Sequence, residues 1–282
     1  MSLYDSVARE TASIVIRRYS TSFGLTSRLL GSGVRQHVEN IYALVRVADE
    51  IVDGSGEDAG LDILATGQAL NALESETELA MELGFSANLV VHAFALTARE
   101  AGFGRELTAP FFESMRMDLT ATEHDQESFD RYVYGSAEVV GLMCLRAFVL
   151  GEKVHDLPAL EAGARALGAA FQKVNFLRDL RADFDALGRS YFPGVSVESF
   201  SEIDKNRLLD DIDSDLATSA SVLPQLPQSS RRAVALAQSL FAELSRRLRA
   251  TPAERLRTTR VRVPNPVKAR LALGAASGRL PT

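Results

Sequence analysis

The sequence has no tryptophan and a single cysteine, Cys144, in 282 residues. One thiol excludes an internal disulfide and a zinc site built on cysteines, and a reducing compartment suits such a chain. Histidine is also scarce: His37, His92, His124 and His155 are scattered, and no two stand at a metal-ligand spacing. No run reaches the roughly 18 apolar residues of a membrane span. The opening MSLYDSVARE lacks the charged-then-apolar layout of a signal peptide. Alternating runs bounded by hairpin turns are nearly absent, which argues against β-structure. No Gly-rich dinucleotide fingerprint, internal repeat or low-complexity linker is present.

What remains is a helical, soluble pattern. Hydrophobic residues make up 46% of the chain and mean hydropathy is near zero, so a buried core and a wet surface are both expected. The net charge of −6 is unevenly spread: residues 245–282 hold ten Lys/Arg against Glu254 alone, a local +9, which leaves −15 on the first 244. A basic end can meet phosphates, an anionic membrane or nucleic acid. Nucleic acid is the weakest of these, because the segment has no aromatic residue to stack on bases. Apolar periodicity and Gly/Pro breaks predict helices at roughly 3–20, 33–53, 59–82, 86–102, 106–120, 127–150, 154–187, 202–221, 227–250, 252–260 and 265–278. In TPAE (251–254), Thr251 is expected as N-cap of the helix that follows.

Two segments carry carboxylates where the pattern calls for burial. The first is IYALVRVADEIVDG, residues 41–54. On a helical wheel Tyr42, Arg46, Asp49 and Asp53 fall within about 60° of one another. Ile41, Leu44, Val45, Val47, Ile51 and Val52 cover the rest, as on a buried helix with one polar stripe. Buried carboxylates are unfavourable unless paired or metal-bound, so the stripe is expected to face a cavity holding cations. The second is LGAAFQKVNFLRDLRADFDALGRSYFP, residues 167–193. There Gly168, Gln172, Asn175, Asp179 and Asp183 share a face about 80° wide, opposite Phe176, Leu177, Leu180 and Phe184. Gly168 leaves that face open to a ligand. One such stripe is commonplace on a solvated helix; two on mostly apolar helices are not. Facing each other, they would enclose an oxygen-lined cavity suited to hard cations. Mg²⁺ there would complete its shell with water and phosphate oxygens, and Arg46 and Arg178 could hold the same phosphates. The expected chemistry is departure of a diphosphate in an apolar pocket, which points to a prenyl diphosphate substrate.

These segments also resemble a known family, the squalene/phytoene synthases. ADEIVD (48–53) is similar to its first aspartate motif and NFLRDLRADF (175–184) to its second. YSTSF (19–23) resembles the serine-rich flap, YVYGSAEVVG (132–141) the central tyrosine motif, and GRSYFP (188–193) the segment after the second aspartates. The matches run in family order from about residue 15 to 270. YVYGSAEVVGLMCL and FFESMRMDL are most similar to the bacterial phytoene synthases.

The resemblance implies an all-α fold: one isoprenoid synthase domain over residues 1–282, a helical bundle around a central apolar cavity. It implies a prenyltransferase that uses Mg²⁺, with Mn²⁺ as substitute, to join two geranylgeranyl diphosphates head to head through prephytoene diphosphate to phytoene, in carotenoid biosynthesis. Asp49, Asp53, Asp179 and Asp183 would bind the metals, with Asn175 as a neutral oxygen ligand or diphosphate contact; Glu50 ranks behind them. Tyr132 would lie near the reacting carbons, steadying a cation or guiding proton loss, on one helical face with Ser136, Val139 and Met143. Ser20 and Ser22 would close a flap over diphosphate. Tyr42, Arg46, Gln172 and Arg178 match substrate-side positions, as do Arg260 and Lys268 in the basic end. Departures from the family pattern are Ser136, Ala137 and Glu138 in the tyrosine motif, Glu138 being expected to point off the cavity, and Phe241 near a position where some relatives carry Tyr.

Three other readings are carried forward. One is a synthase joining two farnesyl diphosphates into squalene or dehydrosqualene. Another is a head-to-tail prenyltransferase or terpene cyclase, against which the flap, tyrosine and second-aspartate motifs argue together. The third is an inactive prenyl-diphosphate-binding partner subunit, disfavoured because each expected Asp is present. The oily substrates and the basic end lead us to expect a cytoplasmic protein touching the inner membrane face, with no nucleic-acid partner. Oligomeric state is not legible.

Overall fold

Caps and apolar periodicity set the helix boundaries in the computed structural model, which describes residues 2–20, 22–187, 190–278 and 280, and their side chains except at 22, 23, 57 and 182–187. The helices are α1 (Leu3–Tyr19), α2 (Ser22–Ser27), α3 (Ser32–Val52), α4 (Ser55–Asp58), α5 (Ile63–Leu83), α6 (Leu89–Ala101), α7 (Arg105–Met117), α8 (Gln126–Val133), α9 (Val139–Phe148), α10 (Leu157–Leu187), α11 (Glu202–Val222), α12 (Gln228–Ala250), α13 (Ala253–Leu256) and α14 (Asn265–Ala276). A π-helical turn, Tyr134–Glu138, joins α8 to α9. Among the described residues no strand forms; one isolated parallel bridge ties Glu123 to Ser190.

Local chemistry explains many ends. Ser2 and Asp5 form a capping box on α1, and Ser201 and Asp204 one on α11. Asn88 accepts from the first amides of α6, which Gly102 ends in the left-handed conformation. Three expectations change. GSGE at 54–57 opens the short α4 rather than a plain break. A flap helix, α2, forms where no helix was expected. Thr251 does not cap α13: its hydroxyl donates to the Arg247 carbonyl at 2.8 Å, closing α12 instead, and Pro252 precedes α13.

Two apolar cores result. One gathers α1, α3, α5, α6, α7 and α9 around Leu44, Phe94, Phe111 and Phe112. The other gathers α8, α10, α11 and the ends of α12 and α13 around Phe176, Leu177, Leu209 and Ile212. Two smaller apolar clusters join these, and one of them, around Leu145, Leu160, Leu223 and Leu226, walls much of a cavity bounded by α3, α9, α10 and α11 and covered by α2 and α12. The 31 residues of α10 make it about 46 Å long, enough to line the cavity and continue past its mouth.

The π-helical turn alters one expectation. Such a turn inserts a residue into the helical register. Tyr132 therefore faces the second core, Val139 and Met143 the first, and Ser136 the cavity. The four do not share a face. Gly168 lines the cavity as expected, but the space its missing Cβ leaves is taken by the turn's backbone, the Ala137 carbonyl oxygen standing 2.5 Å from the Cβ position. Gly135 admits the turn against α7 in the same way, its Cβ position lying 2.1 Å from the Pro110 oxygen.

We expect Gly168→Ala to destabilise the protein by about 1–3 kcal/mol through overpacking against immovable backbone. Gly33→Ala, whose Cβ would meet nothing within 4 Å, should be neutral or stabilising by under about 1 kcal/mol. Urea unfolding of the two variants separates packing from helix propensity. Equal stability of both would contradict the packing role.

Candidate active site

The cavity measures about 280 Å³ and is almost wholly apolar. Its long wall is α10, from Leu160 at one end to Asn175 at the other. Across from it stand Val38, Ile41, Tyr42 and Val45 of α3 and Val140, Gly141, Cys144 and Phe148 on and beside α9. Phe171 narrows the wall, stacked on Phe241 at 3.7 Å between centroids. Polar side chains in the lining include Tyr42, Ser136, Gln172 and Asn175. The Cys144 thiol is pushed up to about 12 by burial, so it is an inert part of this wall.

The lining stops at Val45 on α3 and Asn175 on α10, and on each helix the carboxylates begin on the next turn. Tyr132 links the two sides. Its ring lies 5.9 Å from that of Phe176, next to Asn175, and the charge of Asp53 is among the causes raising its hydroxyl pKa. Burial is the first of those causes and Asp118 the second.

Arginines sit on the carboxylates. Arg46 Nη1 donates to Asp49 Oδ2 at 2.9 Å, and Nη2 reaches Glu50, which also accepts from Ser55. The Arg46 guanidinium lies 4.6 Å above the Tyr19 ring, and its Nε is buried with no acceptor among the described residues. Arg178 Nε donates to both oxygens of Asp179 at 3.0 and 3.1 Å. Arg260 comes from the basic end to the same carboxylate, Nε at 2.7 Å from Oδ1 and Nη2 at 3.0 Å from Oδ2. Asp179 is thus gripped by two guanidinium forks. Asp49 differs. Although 36% of its side-chain surface is accessible in the cleft, burial and then the Asp53 charge push its carboxyl up to about 6 against the pull of Arg46.

These residues fit a hard divalent cation and an anionic ligand together. The donors are carboxylate and amide oxygens, Asp49 and Asp53 repel each other without a cation, and Arg46 Nε is a donor awaiting an acceptor. Among the described side chains no cluster of three metal-binding groups is complete. The side chains of Asp183 and Ser22 lie outside the described residues.

The segment expected as a flap holds the short helix α2. Thr26 and Ser27 line the cavity, while Leu25 and Leu29 pack outward on Leu240 and Leu271. Arg35 fixes its end by donating to the carbonyls of Ser27, Arg28 and Leu30 at 3.0, 2.8 and 3.1 Å. Ser20 hydrogen-bonds to Tyr42, whose own pKa is raised mainly by burial. Glu138 points away from the cavity, paired with Arg165 at 2.6 Å. Lys268, on α14, makes no ion pair to the aspartates among the described residues. Sequence reasoning missed three groups. Tyr19 stacks under Arg46. Tyr191 lies flat on Phe176 at 3.9 Å. Asp118 receives the Tyr132 hydroxyl at 2.9 Å. The only sequence signal for Asp118 was its place in FFESMRMDL.

Comparison with known proteins agrees with this geometry. The family described as squalene/phytoene synthase matches residues 16–266. A 15-cis-phytoene synthase of Paracoccus sp. is 31% identical over 188 residues, 65% of this chain and 59% of that protein. A phytoene synthase of Pseudescherichia vulneris is 29% identical over 251 residues, 82% of this chain and 79% of that protein. Among solved structures, a dehydrosqualene synthase in complex with ligand superposes with a TM-score of 0.78 at 21% identity, covering 97% of this chain and 96% of that one. The squalene synthase HpnC from Alicyclobacillus acidocaldarius gives 0.74 at 20% identity, covering 89% and 98%. At these identities the superpositions speak for a shared fold.

The Asp49 carboxyl yields a test in metal-free buffer. A carboxyl whose folded pKa stands above its unfolded value of 3.8 favours the folded state below that value and loses the contribution as pH rises through about 6. Asp49→Asn should therefore be more stable than the parent at about pH 8, and the gap should close towards pH 4, in urea unfolding. A parent that is the more stable at pH 8 would contradict the electrostatic assignment.

Proposed function

The chain belongs to the squalene/phytoene synthase family of prenyltransferases, and from that membership we propose that it joins two geranylgeranyl diphosphates head to head, through prephytoene diphosphate, to phytoene. The observation that carries the chain length is the apolar wall. From Leu160 to Asn175 it follows α10 for about 22 Å. An extended geranylgeranyl chain, advancing about 1.2 Å per bond, is roughly 20 Å long and a farnesyl chain about 15 Å. The relatives named as phytoene synthases support the same reading.

In this reading Asp49, Asp53, Asp179, Asp183 and Asn175 hold Mg²⁺, with Mn²⁺ as substitute. Bound there, the metal supplies Lewis-acid stabilisation of the departing diphosphate. Arg46, Arg178 and Arg260 turn from carboxylates to diphosphate oxygens, an exchange of one charge-assisted pair for another. Tyr42, Ser20 and Gln172 border the first apolar turn and orient the allylic end. The family resemblance assigns Ser22 and Lys268 to the diphosphate side as well. The walls of α3, α9 and α10 keep water from the carbocation. We take residues 1–282 as one catalytic unit, because helices from α1 to α12 contribute to the walls of one cavity.

A membrane role rests on the basic end. Arg246, Arg247 and Arg249 are paired with Glu243, Asp210 and Asp213. Arg255, Arg262 and Arg270 are exposed, and so is Leu273, three residues after Arg270 on α14. No helix among the described residues is long and apolar enough to cross a membrane. We therefore assign peripheral contact with the inner face of the cytoplasmic membrane.

Incubation with Mg²⁺ and either prenyl diphosphate, followed by mass analysis, tests the reaction. We expect a forty-carbon hydrocarbon from geranylgeranyl diphosphate. A thirty-carbon product from farnesyl diphosphate alone would install the squalene-type reading, and diphosphate release from neither would leave a binder. Asp49→Asn and Asp179→Asn should each lower turnover at least about 100-fold with helicity unchanged. Flotation should carry the protein with anionic liposomes at low salt and lose it at high salt; no flotation at low salt would end the membrane assignment.

A further inference from the structure

Lys205 is the only buried Lys or Arg among the described residues, at 3% exposure. It stands near the start of α11, and its ammonium offers three donors, which meet three acceptors. Nζ donates to the Thr251 carbonyl at 2.7 Å, to the Arg249 carbonyl at 3.2 Å and to Glu202, one turn earlier, at 2.6 Å. Glu202 in turn accepts the Ala253 amide at 2.6 Å. These bonds, Lys205 first, hold the Glu202 carboxyl below its ordinary pKa. The pair thus grips both sides of the bend 249–253: the closing carbonyls of α12 and the first amide of α13. A lysine at a helix C-terminus is commonplace on a surface. A buried charge is tolerable only while it stays paired and hydrogen-bonded, so this one fixes the bend in one place.

Arg260 hangs from that bend. Ala253 and Leu256 of α13 are buried in the second core, and Val261 and Val263 pack on its edge. Between them Arg260 reaches α10 and holds Asp179, Nε at 2.7 Å from Oδ1 and Nη2 at 3.0 Å from Oδ2. No helix spans the residues between α13 and α14, and the Arg260 side chain is 51% exposed. Its position is therefore inherited from its anchors. The clamp belongs to α11, which shares the second core with α10, the helix that carries Asp179. We propose that Lys205, together with Glu202, is a positioning residue for diphosphate binding and acts through Arg260. The inference rests on the function proposed above, in which Arg260 passes from Asp179 to a diphosphate oxygen. A guanidinium fork matches phosphate oxygens only over a narrow range of positions, and a support loose by about 1 Å forfeits much of the gain. Releasing the bend leaves Arg260 its charge and takes away its aim.

The test compares the full-length parent with Lys205→Met, Arg260→Met and the double variant. Methionine keeps an unbranched apolar stem and removes the donors. First, without metal or ligand, the folded proteins are digested briefly with trypsin and the fragments weighed. We expect the Arg260–Val261 bond to be cut about 10-fold faster in Lys205→Met than in the parent, with cutting within α1–α9 unchanged. Second, calorimetry measures the binding of inorganic pyrophosphate in the presence of Mg²⁺. Affinity should fall about 10-fold in Lys205→Met and at least as far in Arg260→Met. The double variant should bind no more weakly than Arg260→Met. Losses that add in the double variant are those of a purely structural lysine and overturn the inference; so does unchanged cleavage in Lys205→Met. Should Lys205→Met melt early, Glu202→Ala, at a side chain 55% exposed, frees the Ala253 amide from outside and is read by the same cycle. A parent that binds no pyrophosphate with Mg²⁺ overturns the functional reading and this inference with it. A parent that binds it, with Lys205→Met binding equally well, overturns only the inference.

Discussion

The C-terminal end of a helix carries partial negative charge, and acids placed there are unfavourable. The last turns of α3 nonetheless hold Asp49 and Glu50, Asp53 caps the helix, and no basic residue stands in its last turn. Asp179 lies two turns from the end of α10, with Asp183 and Asp185 beyond it in sequence. Guanidinium groups offset this charge. Arg46 works within α3, Arg178 within α10, and Arg260 arrives from the segment after α13. An arrangement that needs three arginines to be tolerable in isolation can exchange them for cations at little net change in charge. The freed arginines are then available to an anion. On the function proposed, these internal ion pairs hold in reserve the residues that would bind metal and diphosphate.

The rest of the fold keeps that charge at one end and hydrocarbon at the other. A single helix, α10, does both: Leu160 to Asn175 wall the apolar cavity, and Asp179 follows one turn later. The π-helical turn before α9 sets the opposite wall. Two glycines let its backbone lie directly on α7 and α10, which leaves no space for water along the seam. The flap is pinned at its α3 side by Arg35 and at its outer face by leucines on α12 and α14.

Much of this was legible as pattern. The stripes on α3 and α10 were visible because helical period maps directly onto faces, and the structure brings Tyr42, Gln172 and Asn175 to one cavity as the wheels implied. The shared face of Tyr132 with Ser136, Val139 and Met143 was not recoverable, because the wheel assumes 3.6 residues per turn and the π-helical turn breaks that assumption. Gly168 was legible in part: it lines the cavity as expected, but a helical wheel says nothing about the Ala137 backbone packed against it. Asp118 was illegible because its meaning comes from Tyr132, fourteen residues away, across a loop whose course the pattern does not dictate. Arg260 could be placed only through the family resemblance. Its contact with Asp179 spans 81 residues, beyond any local signal.

In the reaction proposed, each half-reaction releases one diphosphate and one proton, and the fold keeps the charged groups apart from the hydrocarbon wall. Arginines ring the outer, hydrated end of α3 and α10, where the anion departs. The Tyr132–Asp118 pair lies on the inner side, behind rings packed at 5.2–5.9 Å. Phe176 stands between the two, with one neighbour in sequence, Asn175, lining the cavity and the stack of Tyr191 on its own face. No carboxylate is among the described residues that line the cavity, so charge stays beyond Val45 and Asn175, and in the reaction proposed the apolar wall shields the ionised intermediate from nucleophiles through both half-reactions.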